Sequence, residues 1–401
     1  MGDLFWPGDH RAGTVMTDQA FFHALVDVEN AWLAALVGTG VAPATAAADL
    51  HDLVGTDDLD AIAVGAEGDG NPVSGLVSVL RSRAGADTAR WLHRGLTSQD
   101  TLDTALMLCL REAVETLGEH LAAQIRALVA LIEAYRDAPL LTRTLTQPAL
   151  PGTAGRRIAL WLNAILDAAD VVAALPGPVV QIGGAAGTLA APVELSGSTR
   201  GAENLISTTA VSLGLAIAPP WHTTRSRVTR IGDALVTCCD AWGHVAGDLS
   251  VAGRPEIGEF SEGSGGGSST MPHKNNPVLT ILLRRVAVVA PGLGATLHTA
   301  SAASLDERSD GGWHAEWATL RTLTRHTVTA ASQAADLFSG LRFDPDRAAA
   351  NLAAAHGILA EQQTMSGLTG RPASAEYLGA TDALVDQTLD RARNHLRGVT
   401  S

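Results

Sequence analysis

The chain has 401 residues, 46% of them hydrophobic and only 17% charged, and a formal net charge of −14. That is apolar material for a large core in roughly two or three domains, while the acidic balance argues against a nucleic-acid partner, because phosphate binding needs a basic surface. An anionic ligand would have to be held by a local positive cluster against the field of the whole chain.

The opening stretch, "MGDLFWPGDHRAG", lacks a charged segment followed by an apolar one, so no signal peptide is expected. Shorter helical patterns and an acidic loop, "GTDDLDAIAVGAEGDGNP", predict a small helical domain over residues 1–92. Next, Leu102, Leu106, Leu110, Ala113, Leu117, Leu121, Ile125, Leu128 and Ile132 recur at steps of three or four, which keeps them on one helical face. The pattern predicts a helix from about Thr101 to Tyr135. Globular helices average about 11–12 residues, so this length predicts a bundle.

Further long helices are predicted at roughly Gly155–Leu175, Thr199–Leu215, Thr224–Ala252, Pro277–Ser301 and Trp313–Ser339, in segments rich in alanine and leucine. No run of alternating β-branched residues predicts a strand. Stretches such as "TRTLTQPALPG" and "QIGGAAGTLAAP" read as loops between helices. The run "PVLTILLRRVAVVAPGLGATL" is broken by Arg284, Arg285 and Pro291, so no membrane span is expected. Asp344 as N-cap and Pro345 at the first helical position open a last helical segment. The division along the chain is thus 1–92, a central 93–341 and a short 342–401. Cys109, Cys238 and Cys239 have neither the number nor the spacing of a disulfide framework or zinc site. The adjacent pair reads as small apolar residues in a helix, and a reduced, cytoplasmic protein is expected.

Four polar stretches could carry chemistry. "EGSGGGSSTMPHKNNPV", from Glu262 to Val278, is neither a P-loop nor a nucleophile elbow. Ser268 could act as a base or nucleophile only if its alkoxide is stabilised, which Lys274 could do if the loop curls back. Asn276 and backbone N–H groups could hold an oxyanion, and the glycines would allow a lid motion. A flexible linker between helices is the plain alternative. In "WLHRGLTSQDTLDTA", Thr97 and Ser98 could cap the long helix or hold a carboxylate at its N-terminus, and Asp100 and Asp103 suit its first turn electrostatically. His93 there is either a ligand contact or a half-buried histidine. In "TRTLTQPALPG", Thr144 and Gln147 are neutral hydrogen-bonders. "LDERSDGGWHAEWATL" carries Glu307 and Arg308. His314 and Glu316 are too close for a metal pair at i, i+4, and Trp313 and Trp317 read as core.

"GSSTMPHKNNP" (Gly267–Pro277) resembles the signature loop of the fumarase/aspartase superfamily, G-S-S-x-M-P-x-K-x-N-P, at every fixed position. "TSQDTLDTA" and "RTLTQPALPG" are similar to its other two regions, in the same order. "QIGGAAGTLAA", "PWHTTRSRV" and "DERSDGGWHAEWATL" are most similar to the 3-carboxy-cis,cis-muconate cycloisomerases. The resemblance implies an all-α subunit of three domains with a central bundle of long helices. It also implies a homotetramer with active sites shared between subunits, a small polycarboxylate substrate, no cofactor or metal, and no membrane partner. The implied reaction interconverts 3-carboxy-cis,cis-muconate and 4-carboxymuconolactone in protocatechuate breakdown. Ser268 would move the proton, Lys274 and Asn276 would stabilise developing charge, and Thr97, Ser98, Thr144 and Gln147 would hold carboxylates. His93 and Arg308 would join them, although Arg308 could instead be an interface ion pair. Two rivals remain: an adenylosuccinate-type or other lyase of the superfamily, and a helical scaffold without activity.

Two departures from the pattern matter. Many superfamily lyases carry a histidine two residues after the arginine of the second region, where this chain has Leu145. A carboxylate can leave unprotonated whereas an amine benefits from an acid, so Leu145 favours the lactone chemistry. The region after about Ala360 is also shorter than is usual in the family.

Overall fold

The computed structural model describes residues 3–263, 265–267, 270–271, 274–374 and 376–399. Helix accounts for 68% of the chain, and the fold is all-α. In chain order the helices are α1 (Asp18–Gly38), α2 (Leu59–Asp69), α3 (Pro72–Arg83), α4 (Ala86–Trp91), α5 (Ser98–Tyr135), α6 (Ala154–Ala173), α7 (Ala190–Ser196), α8 (Thr199–Leu213), α9 (Ser226–Ala252), α10 (Val278–Ala302), α11 (Gly311–Gly340), α12 (Pro345–Ala354), α13 (Ala360–Thr369) and α14 (Thr381–Val399). The six long helices predicted from periodicity lie within a few residues of their expected bounds. All nine apolar positions of the α5 stripe are buried. Asp344 caps α12 as expected, its side chain accepting from the Arg347 N–H.

One expectation is corrected. "TRTLTQPALPG" is not a loop: β1 (Pro139–Thr144) and β2 (Gln147–Thr153) form an antiparallel hairpin. Its two-residue turn, Leu145–Thr146, has φ of 48° and 71°, the left-handed pair that twisted hairpins demand and that usually recruits Asn-Gly. A second short ladder pairs β3 (Phe260–Ser261) with β4 (Arg342–Phe343). The helix predicted over Pro277–Ser301 is present as α10 and continues through Pro291. By length and composition alone, α1 and α10 could each cross a membrane. The apolar window of α1 is 61% buried, as in a core helix, whereas that of α10 is 28% buried, leaving Ile281 and Val288 exposed.

The chain divides into two compact units. One comprises Met1–Glu115, Leu175–Gly232 and Leu293–Arg325. Here α1 packs on α8, α7 on α8, and α2 and α4 on α3. Arg325 ties the N-terminal segment to α11 through Asp9 (2.6 and 3.0 Å) and the Val15 carbonyl. The other unit comprises Thr116–Ala174, Asp233–Gly292 and His326–Ser401. Its core includes Tyr135, Phe260, Phe343 and Trp161 in edge and tilted ring contacts. There α14 packs on α6 and α12 on β1. Buried Gln124 bridges α9 and α11, accepting from Trp242 Nε1 (2.8 Å) and donating to the Ala331 carbonyl (2.9 Å).

All three cysteines are buried and free. Burial pushes the thiols of Cys109 and Cys239 up to about 12. The nucleophile is the thiolate, so none should react with an aromatic disulfide reagent at pH 8 in the native protein, and all three should react in urea. Rapid labelling of a native thiol would contradict this packing.

Candidate active site

In the first unit the site begins at the N-terminus of α5. Asp100 is fully buried there and does more than favour the first turn: it accepts from the Thr97 N–H (3.0 Å), the Gly183 and Gly184 N–H groups (both 2.9 Å) and Gln181 Nε2 (3.1 Å), and pairs with His222 Nε2 (2.9 Å). One carboxylate thus fixes the turn carrying Thr97 and Ser98 and pins the 181–184 loop beside it. Only glycine fits at 183, where a Cβ would lie 2.5 Å from the His222 ring. Asp103, one turn on, is held by Arg225, Gln99 and Trp313.

His93 sits just before this turn with φ of 59°, in the left-handed region. Its Nδ1 is 2.7 Å from Glu29 Oε1 on α1, and Thr101 Oγ1 donates to the same oxygen at 2.8 Å. Glu29 is fully buried. Burial of the ring opposes its charge, but the Glu29 carboxylate outweighs burial and holds His93 above the ordinary histidine range. With Nδ1 committed to Glu29, Nε2 is the nitrogen left for a ligand. His93 and Ser98 line a cavity of about 330 Å³, together with Ser74, Val77, Ser78 and Arg81 from α3. Arg308 lies exposed in the segment before α11, whereas Trp313 is buried with its ring edge-on to Trp317.

In the second unit, Thr144 and Gln147 face each other as the last pair of the hairpin, and both are exposed. Gln147 Nε2 reaches Thr146 Oγ1 at 3.2 Å. The hairpin is anchored by Arg143, which grips buried Glu259 with two nitrogens at 2.8 and 3.0 Å, while Asn351 donates to the same carboxylate. The arginine of the second region is therefore committed to structure.

In the signature loop Gly266 and Asn276 exchange both backbone hydrogen bonds (2.8 and 2.9 Å), and the Lys274 N–H donates to the Met271 carbonyl. Asn276 Nδ2 reaches the Gly267 carbonyl at 3.4 Å. Glu262 caps α10 through the Leu279 and Thr280 N–H groups. Part of the glycine run is explained by close approach: a Cβ at Gly265 would meet Asn275 Oδ1 at 1.8 Å, and one at Gly266 would meet Val278 Cγ2 at 2.3 Å. Lys274 is exposed, and Asn275 and Asn276 line a cavity of about 210 Å³ with Glu262 and Thr280. Ser268 lies outside the described residues. The structure thus brings His93 and Ser98 to one cavity beside Thr97, pairs Thr144 with Gln147, and sets Lys274 and Asn276 in one loop. The first group belongs to one unit and the other two to the second.

Several residues at the site were missed in the sequence. Glu29 was findable as one of two acids, with Asp27, in the apolar run "LVDVENAWLAALV", because a charge buried there must be partnered. Arg225 and Glu316, fully buried partners, were findable only as parts of longer motifs. Arg81, in "SVLRSRAG", carries no sequence signal.

Polar clusters thus stand at the ends of long helices in an all-α chain, and the chain's relatives are enzymes of the lyase family. The family model described as "Lyase" matches residues 15–292. The chain is 38% identical over 378 residues to nitrosuccinate lyase of Streptomyces davaonensis, covering 90% of this chain and 79% of that one. It is 37% identical over 400 residues to 3-carboxy-cis,cis-muconate cycloisomerase of Bradyrhizobium diazoefficiens, covering 95% and 85%. The crystal structure of the 3-carboxy-cis,cis-muconate lactonizing enzyme from Pseudomonas putida superposes with a TM-score of 0.80 at 30% identity, covering 97% of this chain and 87% of that one. The chain belongs to the fumarase/aspartase superfamily.

Proposed function

We propose that the protein interconverts 3-carboxy-cis,cis-muconate and 4-carboxymuconolactone, as a cytoplasmic homotetramer with active sites shared between subunits and without a cofactor. In the lactone-opening direction Ser268 removes the proton α to a carboxylate. Charge builds on that carboxylate, where Lys274 and Asn276 stabilise it. The ring C–O bond then breaks and the second carboxylate leaves. Thr97, Ser98, His93, Thr144, Gln147 and Arg308 hold the carboxylates. The division along the chain into 1–92, 93–341 and 342–401 belongs to the same reading. The exposed apolar side of α10 supports burial against partner helices: it is too apolar to face water over such a length.

The observation that carries the choice of reaction is Leu145, at the exposed hairpin tip where many lyases of the superfamily carry a histidine. A carboxylate needs no acid to leave; an amine does. This disfavours an adenylosuccinate-type lyase. It does not separate a carboxylate from nitrite, which is also a weak base that departs unprotonated. The 38% identity to a nitrosuccinate lyase therefore supports a second reading: elimination of nitrite from nitrosuccinate to leave fumarate. Nitrite release and loss of diene absorbance, measured on the two substrates in parallel, distinguish them. For the cycloisomerase, Leu145→His should leave turnover unchanged within a few-fold. A large gain would show that the leaving group needs an acid.

A further inference from the structure

The cavity beside His93 is lined by a cation that makes no direct ion pair among the described residues. Arg81, in the last turn of α3, donates from Nη2 to the Leu92 carbonyl at 2.7 Å, which aligns the guanidinium across the approach to α5. Its Nε is buried without a hydrogen-bond partner. Among the described residues no carboxylate pairs with it. Burial lowers its pKa and nearby Arg94 lowers it further, against a weaker pull upward from Glu29, and a guanidinium stays charged at any physiological pH. Facing it across the same cavity are Ser98, at the N-terminus of α5, and His93, whose charge is sustained by Glu29. Ser74 and Ser78 complete the polar wall. In a chain of net charge −14, His93 and Arg81 face this cavity with one carboxylate, Glu29, behind them, and Glu29 is taken up by His93 and Thr101.

We propose that Arg81 is a specificity-determining residue of the active site, gripping with its free N–H edge one carboxylate of the substrate that takes no part in bond making. The proposal rests on the reading above that the substrate is a small polycarboxylate. The planar fork suits a carboxylate, and one such charged hydrogen bond is worth roughly 10- to 150-fold in affinity. The grip holds throughout the reaction, so it lowers KM without raising kcat. A substrate lacking that carboxylate should bind poorly in the wild type and lose little more when Arg81 is replaced.

The test uses the full-length protein and propane-1,2,3-tricarboxylate, a non-reacting probe, titrated calorimetrically into wild type, Arg81→Met and Ser78→Asp. Ser78 is one helical turn from Arg81 on α3, so Ser78→Asp supplies an internal carboxylate while leaving the Arg81–Leu92 contact intact. Arg81→Met should weaken binding at least about 10-fold, and Ser78→Asp should do the same without lowering the melting temperature. Unchanged affinity in Ser78→Asp and in a folded Arg81→Met overturns the proposal, as does absence of binding by the wild type. With 3-carboxy-cis,cis-muconate, Arg81→Met should raise KM at nearly constant kcat; a fall in kcat alone also overturns it. If the muconate is not turned over but both variants lose the probe, the choice of substrate fails while the carboxylate grip of Arg81 stands.

Discussion

Arg225→Met should destabilise the protein by about 3–5 kcal/mol, the range found when one member of a buried ion pair is removed. Arg225 is fully buried, with Asp103 on one side at 2.6 and 3.1 Å and Glu316 on the other at 2.6 to 3.2 Å. Its guanidinium also lies 4.9 Å from the centre of the Trp221 ring. Two carboxylates share one cation, so the cluster is left one negative charge over. Trp313 Nε1 and Gln99 Nε2 donate to Asp103 and absorb part of that excess. Burial opposes the Arg225 charge, but the two carboxylates outweigh it and hold the guanidinium firmly ionised. Burial pushes Glu316 up, against the pull of Arg225.

Methionine would fill much of the space yet leave both carboxylates without their counterion. Arg225→Lys keeps the charge but not the planar fork, and should fall between wild type and Arg225→Met. Urea unfolding monitored by far-ultraviolet circular dichroism measures both. A loss below about 0.5 kcal/mol, the scale of an ordinary surface change, would contradict the cluster as drawn. Asp103 follows Ser98 by little more than a turn, so Arg225→Met should also loosen the carboxylate end of the site and raise KM.

Ser268→Ala should lower kcat by roughly 10²- to 10⁴-fold, the usual contribution of a positioned proton-transfer group, with stability and assembly unchanged. The assignment comes from the signature loop, since Ser268 itself lies outside the described residues. Its surroundings support the expectation: the Gly266–Asn276 pairing closes the base of the loop, and the glycine contacts at 265 and 266 leave no room for side chains there. Single-turnover rates separate chemistry from product release, and a Ser268→Ala enzyme with wild-type single-turnover rates would remove the serine from the mechanism.

The helices were legible because each buries one stripe. The residues from Leu102 to Ile132 step by three or four, and every one is inside; burial imposes that period and the sequence displays it. The hairpin was illegible for equally physical reasons. Its strands carry prolines at 139, 148 and 151, show no clean alternation, and turn through Leu-Thr rather than Asn-Gly. The register is instead set by Arg143 on Glu259, a contact spanning 116 residues, and no local pattern can reveal such a partner. The helix predicted over Pro277–Ser301 runs through Pro291 as observed, although a proline costs a helix a hydrogen bond. At the site, serine, threonine and asparagine could be picked out by motif. Their partners were harder to see: Glu29 stands out only as an acid in an apolar run, and its contacts with His93 and Thr101 form only when α1 meets the turn before α5.

The most direct test of the central claim is a spectrophotometric assay of the purified protein with 3-carboxy-cis,cis-muconate, following conjugated-diene absorbance and identifying the product. Loss of the diene with formation of 4-carboxymuconolactone, and no nitrite from nitrosuccinate in a parallel reaction, is the predicted result. An unchanged diene signal, with nitrite released from nitrosuccinate, would contradict the cycloisomerase reading.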